Sequence, residues 1–130
     1  MALLQRKHIL IISYNEQLLI QRRILLEEAG YQVSSALGLK EALANCKDGG
    51  YDLLILGHSI PHADKVGLVR TFRIHCLAPI LSLWERGEMI ADTVDYLTFS
   101  DAPEKLLGNV AAILARESQP RRSGEQSFRT

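Results

Sequence analysis

The sequence has no excess charge of either sign, few cysteines and no long apolar run. Fifteen basic residues balance fifteen acidic ones, so no net field attracts the whole molecule to nucleic acid or to an anionic membrane. No apolar run approaches the roughly 20 residues that span a bilayer, and the first residues lack the small-residue cleavage site of a signal peptide. We expect Cys46 and Cys76 to be reduced, partly buried thiols of a cytoplasmic protein.

The sequence also lacks the common patterns of an active site. After the first apolar run, the segment Ser13–Glu16 has none of the glycines that let a backbone approach phosphates. No nucleophile and base stand at a helpful spacing. His58 and His62 are four residues apart, but Pro61 between them argues against one helix, and a third metal ligand is missing. We therefore expect no enzymatic activity, no metal and no cofactor.

What the chain does have is a regular alternation of strands and helices at an ordinary composition, 47% apolar and 23% charged. Short apolar or alternating runs predict five strands, and helical spacing of apolar residues predicts the intervening helices. Such alternation predicts an α/β domain with an open parallel sheet and right-handed crossovers. We expect one domain over residues 1–116, followed by a disordered tail over 117–130 that has nothing to bury. The predicted strands are His8–Ile12, Tyr31–Ser35, Leu53–Leu56, Pro79–Leu83 and Asp95–Phe99. The predicted helices begin at the cap Asn15, at Lys40, at Asp64 and at the capping box Asp101–Glu104, and the first of them runs through Glu28 and stops at Ala29-Gly30.

The order and spacing of several segments resemble the response-regulator receiver domains. None of these segments is specific alone, but together they cover His8–Arg116. They are Ile-Leu-Ile-Ile at 9–12, Leu-Glu-Glu-Ala-Gly-Tyr-Gln-Val at 26–33, Glu41-Ala-Leu, Asp52 through Ile60-Pro61 to Asp64, Pro79-Ile-Leu-Ser-Leu83 and Asp95-Tyr-Leu97. The resemblance implies a flavodoxin-like, doubly wound sheet of five parallel strands in the order 2-1-3-4-5. It also implies a functional site at the carboxyl edge of the strands.

The residues that carry the chemistry of receiver domains are all replaced. The family uses two acidic residues after the first strand for magnesium, an acceptor aspartate, a hydroxyl residue ending the fourth strand and a lysine ending the fifth. On the matching positions this chain has Ser13 and Tyr14, Gly57, Trp84 and Phe99. Nucleophile, metal ligands and positive charge are lost together, so the resemblance implies a degenerate phospho-acceptor pocket without phosphotransfer.

Two hypotheses account for the aromatic replacements. In the first, Tyr14, Trp84 and Phe99 fill the unused pocket, and the chain is a non-phosphorylatable module of a two-component or phosphorelay network. It then acts by contact with a protein, such as a sensor kinase, another regulator or an effector. In the second, the three rings together with His58 and Ser59 bind a small planar ligand that replaces phosphate as the signal. The fold alone does not decide between them.

The crossover between the fourth and fifth strands is unusually short. Only nine residues, Glu85–Thr93, separate Trp84 from Val94, whereas a parallel crossover normally takes a dozen or more. We therefore expect the fourth helix of the receiver fold to be shortened or missing. In the family, that helix contributes to the face that reports activation, so the usual output contact is not expected here.

Overall fold

The computed structural model describes residues 6–84, 95–99 and 103–118. Its strands are β1 His8–Ser13, β2 Gln32–Leu37, β3 Leu53–Leu56, β4 Ile80–Trp84 and β5 Tyr96–Phe99. Its helices within those residues are α1 Glu16–Glu28, α2 Gly38–Cys46, α3 His62–His75 and α4 Pro103–Ser118. No helix of this described part is long and apolar enough to cross a membrane.

The strands form one parallel sheet in the order β2-β1-β3-β4-β5. Because β2 and β3 lie on opposite sides of β1, the chain reverses its direction across the sheet after β2, and helices cover both faces. The predicted flavodoxin-like α/β class is confirmed. The carboxyl ends of β1 and β3 are neighbours at the point where the strand order reverses, which is where such sheets place functional sites.

The buried side chains divide into one layer on each face of the sheet. In β1, Leu10 and Ile12 pack with residues of α2 and α3, whereas Ile9 and Ile11 pack with residues of α1 and α4. This alternation follows from the period of two along a strand, and burial on both faces explains the continuous apolar runs. As the spacing predicts, α4 docks on the sheet through four buried residues, Leu106, Val110, Ile113 and Leu114.

The predicted limits of α1 are confirmed at both ends. The Asn15 side chain accepts a hydrogen bond from the Leu18 N–H at 3.0 Å and so caps the first turn. After Ala29, Gly30 has a φ of 102°. This left-handed conformation costs a glycine little and turns the chain into β2.

Other boundaries differ from the prediction. Helix α3 begins at His62 and not at Asp64, because Pro61 has a φ of −59° and its carbonyl accepts the Lys65 N–H at 2.9 Å. Strand β2 continues to Leu37, whose N–H donates to the Glu41 carboxylate at 2.8 Å.

Two predictions fall mainly beyond the described part of the chain. Helix α4 extends to Ser118, so the first two residues of the predicted tail, 117 and 118, are helical. The rest of the tail lies outside the described residues. The predicted short crossover at 85–93 also lies outside them.

Candidate functional site

The carboxyl edge of the sheet brings together the positions predicted to form the degenerate pocket. Ser13 is the last residue of β1, and Gly57 directly follows β3. The Gly57 N–H donates to the Ile12 carbonyl at 2.9 Å, which holds the two strand ends together. Trp84 and Phe99 are the paired last residues of β4 and β5, so their backbones lie at the same edge. Their side chains lie outside the described part of the structure.

Little room exists for a side chain at position 57. A Cβ added to Gly57 would lie 3.1 Å from the Ile12 carbonyl oxygen, 3.2 Å from Arg22 Nη1 and 3.4 Å from Ser13 Cβ. The first two distances are shorter than ordinary van der Waals contacts. The guanidinium of Arg22 therefore lies against the position from which an acceptor side chain would project.

Arg22 was not identified as a site residue from the sequence. It lies three residues after Leu19 and four before Leu26, the two buried residues of α1, so it belongs to the buried stripe of the helix. Its Nη2 lies 3.3 Å from His58 Nδ1, and burial lowers the pKa of Arg22 from its ordinary value. A charged residue on an otherwise apolar stripe is the pattern that would have pointed to it.

Hydroxyl groups tie the β1–α1 connection to the turn after β3. Ser13 is fully buried, and its Oγ donates to the Asn15 carbonyl at 3.1 Å while accepting the Asn15 N–H at 3.0 Å. Ser59 Oγ accepts the Tyr14 N–H at 3.2 Å and lies 3.4 Å from Ser13 Oγ. The first position of the family's acidic pair is thus a hydroxyl already engaged with backbone.

Tyr14, at the second position of that pair, makes a polar contact through its hydroxyl. Tyr14 OH donates to Asp64 Oδ2 at 2.9 Å, while the ring packs beside the core layer under α2 and α3. Burial, followed by the hydrogen bond to Asp64 and the charge of Asp64, raises the pKa of Tyr14 well above the ordinary value of a tyrosine. Tyr14 therefore joins the first loop to the first turn of α3.

We expect Tyr14→Phe to lower the free energy of unfolding by about 1.5 kcal/mol at neutral pH, because one hydrogen bond to a carboxylate is lost. The ordinary pKa of a tyrosine is about 10, so the unfolded chain releases the phenol proton above that pH. The folded wild-type protein keeps the proton there, because its Tyr14 pKa is raised. Wild-type stability should then fall as the pH rises past about 10, and the difference between the two proteins should shrink. Urea denaturation between pH 7 and pH 11 measures this difference. A constant difference across that range would contradict the assigned contact.

A second cation, Lys65, lies at the same edge and was also missed. It is 1% exposed, and its Nζ donates to Ser82 Oγ at 3.1 Å and to the Leu83 carbonyl at 3.2 Å. Lys65 precedes Leu68 by three residues and Val69 by four, so it lies on the buried stripe of α3. Its side chain connects the start of α3 to the end of β4.

The two histidines noted in the sequence do not form a pair on one helix. His58 lies in the turn after β3, and His62 is the first residue of α3. Pro61 separates them, as predicted. Across the described ranges, no group of three or more His, Cys, Asp or Glu residues is placed to hold a metal ion.

These contacts define what the described part of the edge offers chemically. The positions matching the family's acidic pair carry a buried hydroxyl and a phenol, and the acceptor position carries no side chain. Two basic side chains, Arg22 and Lys65, reach into this edge from α1 and α3. The carboxylate of Asp64 is engaged by Tyr14. The edge is organised as a set of internal hydrogen bonds between loops, helices and strand ends.

The chain is similar in sequence to curated transcriptional regulatory proteins over most of its length. No family model matches the chain. The transcriptional regulatory protein ResD of Bacillus subtilis (strain 168) is 31% identical over 104 residues, which are 75% of this chain and 43% of that protein. The chain spans less than half the length of the curated relatives it matches, 43% and 49%.

The solved structures show the fold. A two-component response regulator from Clostridium difficile superimposes with a TM-score of 0.73 at 23% identity, covering 88% of this chain and all of that one (100%). A structure of the histidine kinase ThkA in complex with the response regulator protein TrrA gives a TM-score of 0.67 at 24% identity, covering 83% of this chain and 98% of the matched one. The chain has the fold of response-regulator receiver domains.

Proposed function

We propose that this chain works in two-component or phosphorelay signalling as an atypical receiver domain that accepts no phosphoryl group and acts by binding a protein. The observation that carries the proposal is the environment of Gly57. The acceptor position has no side chain, and the Arg22 guanidinium lies 3.2 Å from where a Cβ would stand. A receiver domain with no acceptor can still present a binding surface, because the sheet and helices are retained.

The contacts of the edge support a non-enzymatic role without a cofactor. Phosphoryl transfer to a receiver needs a nucleophilic carboxylate, a metal held by acidic residues and a positioned positive charge. The nucleophilic carboxylate is absent because its position is Gly57. The carboxylates that would hold the metal are replaced by Ser13 and Tyr14. The basic side chain of Lys65 donates to Ser82 and to the Leu83 carbonyl, and it supplies neither the nucleophile nor the acidic metal ligands. We place this module in the cytoplasm, with neither nucleic acid nor a membrane as its partner.

A sensor kinase, another regulator or an effector is the partner we propose. The complex of ThkA with TrrA is an example, for those two proteins, of a receiver fold bound to a histidine kinase. For the present chain, the partner should recognise a surface that phosphorylation does not switch. Binding is therefore expected to be the same with and without a phosphoryl donor.

The ligand-sensing alternative is less well supported by the described contacts. Three of its five residues are engaged within the protein: Tyr14 with Asp64, Ser59 with the Tyr14 N–H, and His58 with Arg22. A ligand at this edge would have to replace those hydrogen bonds with equally good ones, since buried polar groups left unpaired are costly. We therefore favour the protein-binding module.

Incubation with acetyl phosphate and magnesium, or with beryllofluoride and magnesium, should leave the protein unchanged. Intact mass should show no phosphoryl adduct, and the amide NMR signals of Ser13, Gly57 and Trp84 should not shift. The positive control is a receiver domain that carries the complete acidic set, treated in parallel. A stoichiometric adduct that maps to any residue of this edge would contradict the proposal.

A second arm of the same experiment addresses the partner. The full chain is used to capture proteins from a lysate of its native host, with and without acetyl phosphate, and the captured proteins are identified by mass spectrometry. The proposal expects the same signalling protein in both samples. Capture that requires the phosphoryl donor would contradict a phosphorylation-independent contact.

A further inference from the structure

A second group of reactive side chains lies at the opposite end of β3 from Gly57. Tyr51 stands two residues before β3 and is 7% exposed. Its ring contacts the rings of His8 and Phe72, with ring centroids 4.7 and 6.1 Å away. The proposed function uses none of these residues, and both cysteines of the chain adjoin them.

Cys76 and the residue before Cys46 each make a hydrogen bond with Tyr51. Cys76 Sγ donates to the Tyr51 carbonyl at 3.4 Å, whereas Tyr51 OH donates at 3.2 Å to the carbonyl of Asn45, the residue before Cys46. Cys46 is fully buried and belongs to the core layer under α2 and α3, and Cys76 packs against that layer. Both cysteines are free, and Cys76 is partly exposed.

The ends of the two helices that carry these cysteines touch through their backbones. Cys46 is the last residue of α2, and Cys76 directly follows α3. Beyond α2, a Cβ at Gly49 would lie only 2.9 Å from the His75 carbonyl oxygen. Gly49 also has a φ of 71°, so this turn depends on glycine for both its conformation and its close approach to α3.

The two thiols belong to the same core layer but differ in accessibility. Burial raises the pKa of Cys46 to about 11, and the neighbouring Cys76 thiol contributes to that rise. Burial also raises the pKa of Tyr51, and electrostatic interactions with Asp48, Cys46 and Cys76 raise it further. Cys46 is thus shielded and held as a thiol, whereas the partly exposed Cys76 is the sulfur that a small oxidant reaches first.

We infer that Cys76 and Cys46 form a thiol oxidation site, in which a peroxide converts the two thiols into an intramolecular disulfide. In the first step the Cys76 sulfur attacks one oxygen of hydrogen peroxide, the O–O bond breaks, and Cys76 sulfenic acid and one water form. In the second step the Cys46 sulfur attacks the sulfenic sulfur, the S–O bond breaks, and the disulfide and a second water form. Two electrons pass from the thiols to the peroxide, and both thiol protons end in water.

The bond would link the ends of α2 and α3 covalently and close a loop that contains β3, Gly57 and Lys65. Closing such a loop restricts the unfolded chain, so the oxidised protein should unfold at a higher temperature than the reduced one. This site responds to a different signal from phosphate and does not depend on whether the proposed function is right.

The test is a titration of the full-length reduced protein with hydrogen peroxide. Intact mass should show the loss of two hydrogen atoms without added oxygen, and peptide mapping without reductant should join the peptides of Cys46 and Cys76. Dithiothreitol should reverse both changes and return the thermal midpoint to its reduced value. An increase of two or three oxygen atoms on Cys76, with Cys46 still a thiol, would overturn the inference, as would a dimer joined through Cys76.

Matched serine variants separate the roles of the two thiols. In Cys46→Ser, oxidised Cys76 should accumulate as a sulfenic acid that dimedone traps, whereas the wild-type protein should give little of that adduct. In Cys76→Ser, the buried Cys46 should react with peroxide at least ten times more slowly than Cys76 does in the wild type. Equal rates at both cysteines would contradict the assignment. Because Cys46 is buried, Cys46→Ser could fail to fold, and Cys46→Ala then takes its place. The peptide mapping of the oxidised wild-type protein tests the disulfide without any variant.

Discussion

Gly57→Asp is expected to remain unphosphorylated, even though it restores the acceptor carboxylate of the receiver family. The new side chain would project toward the Arg22 guanidinium, which lies 3.2 Å from the position of its Cβ, and past the Ile12 carbonyl oxygen at 3.1 Å. Magnesium would still lack the acidic pair, because Ser13 and Tyr14 occupy those positions. Intact mass after incubation with acetyl phosphate and magnesium should show no adduct.

The Gly57→Asp substitution should also show that the positively charged Arg22 side chain lies next to position 57. Gly57→Asn has nearly the same shape and no charge, so it serves as the matched control. We expect Gly57→Asp to be more stable than Gly57→Asn by about 1.5 to 3 kcal/mol, the range for hydrogen bonds to charged groups. In an Arg22→Met background the two variants should have equal stability, as measured by urea denaturation.

Two outcomes would contradict this account of the edge. A phosphoryl adduct on Gly57→Asp would show that the acidic pair is dispensable and that only the acceptor has been lost. An advantage of aspartate over asparagine that persists in the Arg22→Met background would show that another group faces position 57. The first outcome would contradict the role we give to Ser13 and Tyr14, and the second would contradict the placement of Arg22 beside position 57.

The fold could be predicted because the spacing of apolar residues along the sequence indicates which faces of each strand and helix are buried. Leu53–Leu56 is a continuous apolar run, and the structure has β3 over the same four residues, covered on both faces. The predicted cap at Asn15 was also correct, because it depends on one side chain. The predicted stop at Gly30 was correct because it depends on the backbone freedom of one glycine. The start of α3 was wrong by two residues, since Pro61 as a cap competes with the more familiar capping role of Asp64.

The site was predicted less well, because its contacts join elements that are distant in sequence. The resemblance pointed to Ser13, Tyr14 and Gly57, and one of the two hypotheses treated the Tyr14 ring as a filler of the unused pocket. The structure shows that its hydroxyl binds Asp64, 50 residues away. Arg22 and Lys65 were missed because a basic residue in a helix is usually solvent-exposed. Their place on the buried stripe was visible in the spacing, but which strand end each one reaches depends on the packing of the helices.

Lys65→Ala is expected to be among the most destabilising substitutions at this edge, at about 3 kcal/mol or more. The side chain is 1% exposed, so its removal leaves a cavity, and Ser82 Oγ and the Leu83 carbonyl each lose a donor. Lys65→Met keeps most of the volume and loses only the charged group, so it should cost about half as much. Urea denaturation of both variants gives the two values.

The comparison between these variants also tests what the ammonium group does for the edge. If Lys65 holds the start of α3 to the end of β4, Lys65→Met should increase the hydrogen exchange of amides at the end of β4. Ser82→Ala is the control, since it removes one acceptor of the ammonium group and leaves that group bound to the Leu83 carbonyl. It should show a smaller increase at the same amides. If Lys65→Met is as stable as the wild type and exchanges at the same rate, the buried lysine contributes only its bulk. The fixed arrangement of this edge would then depend on Arg22 and Tyr14 together with the two serine hydroxyls that join the β1–α1 connection to the turn after β3.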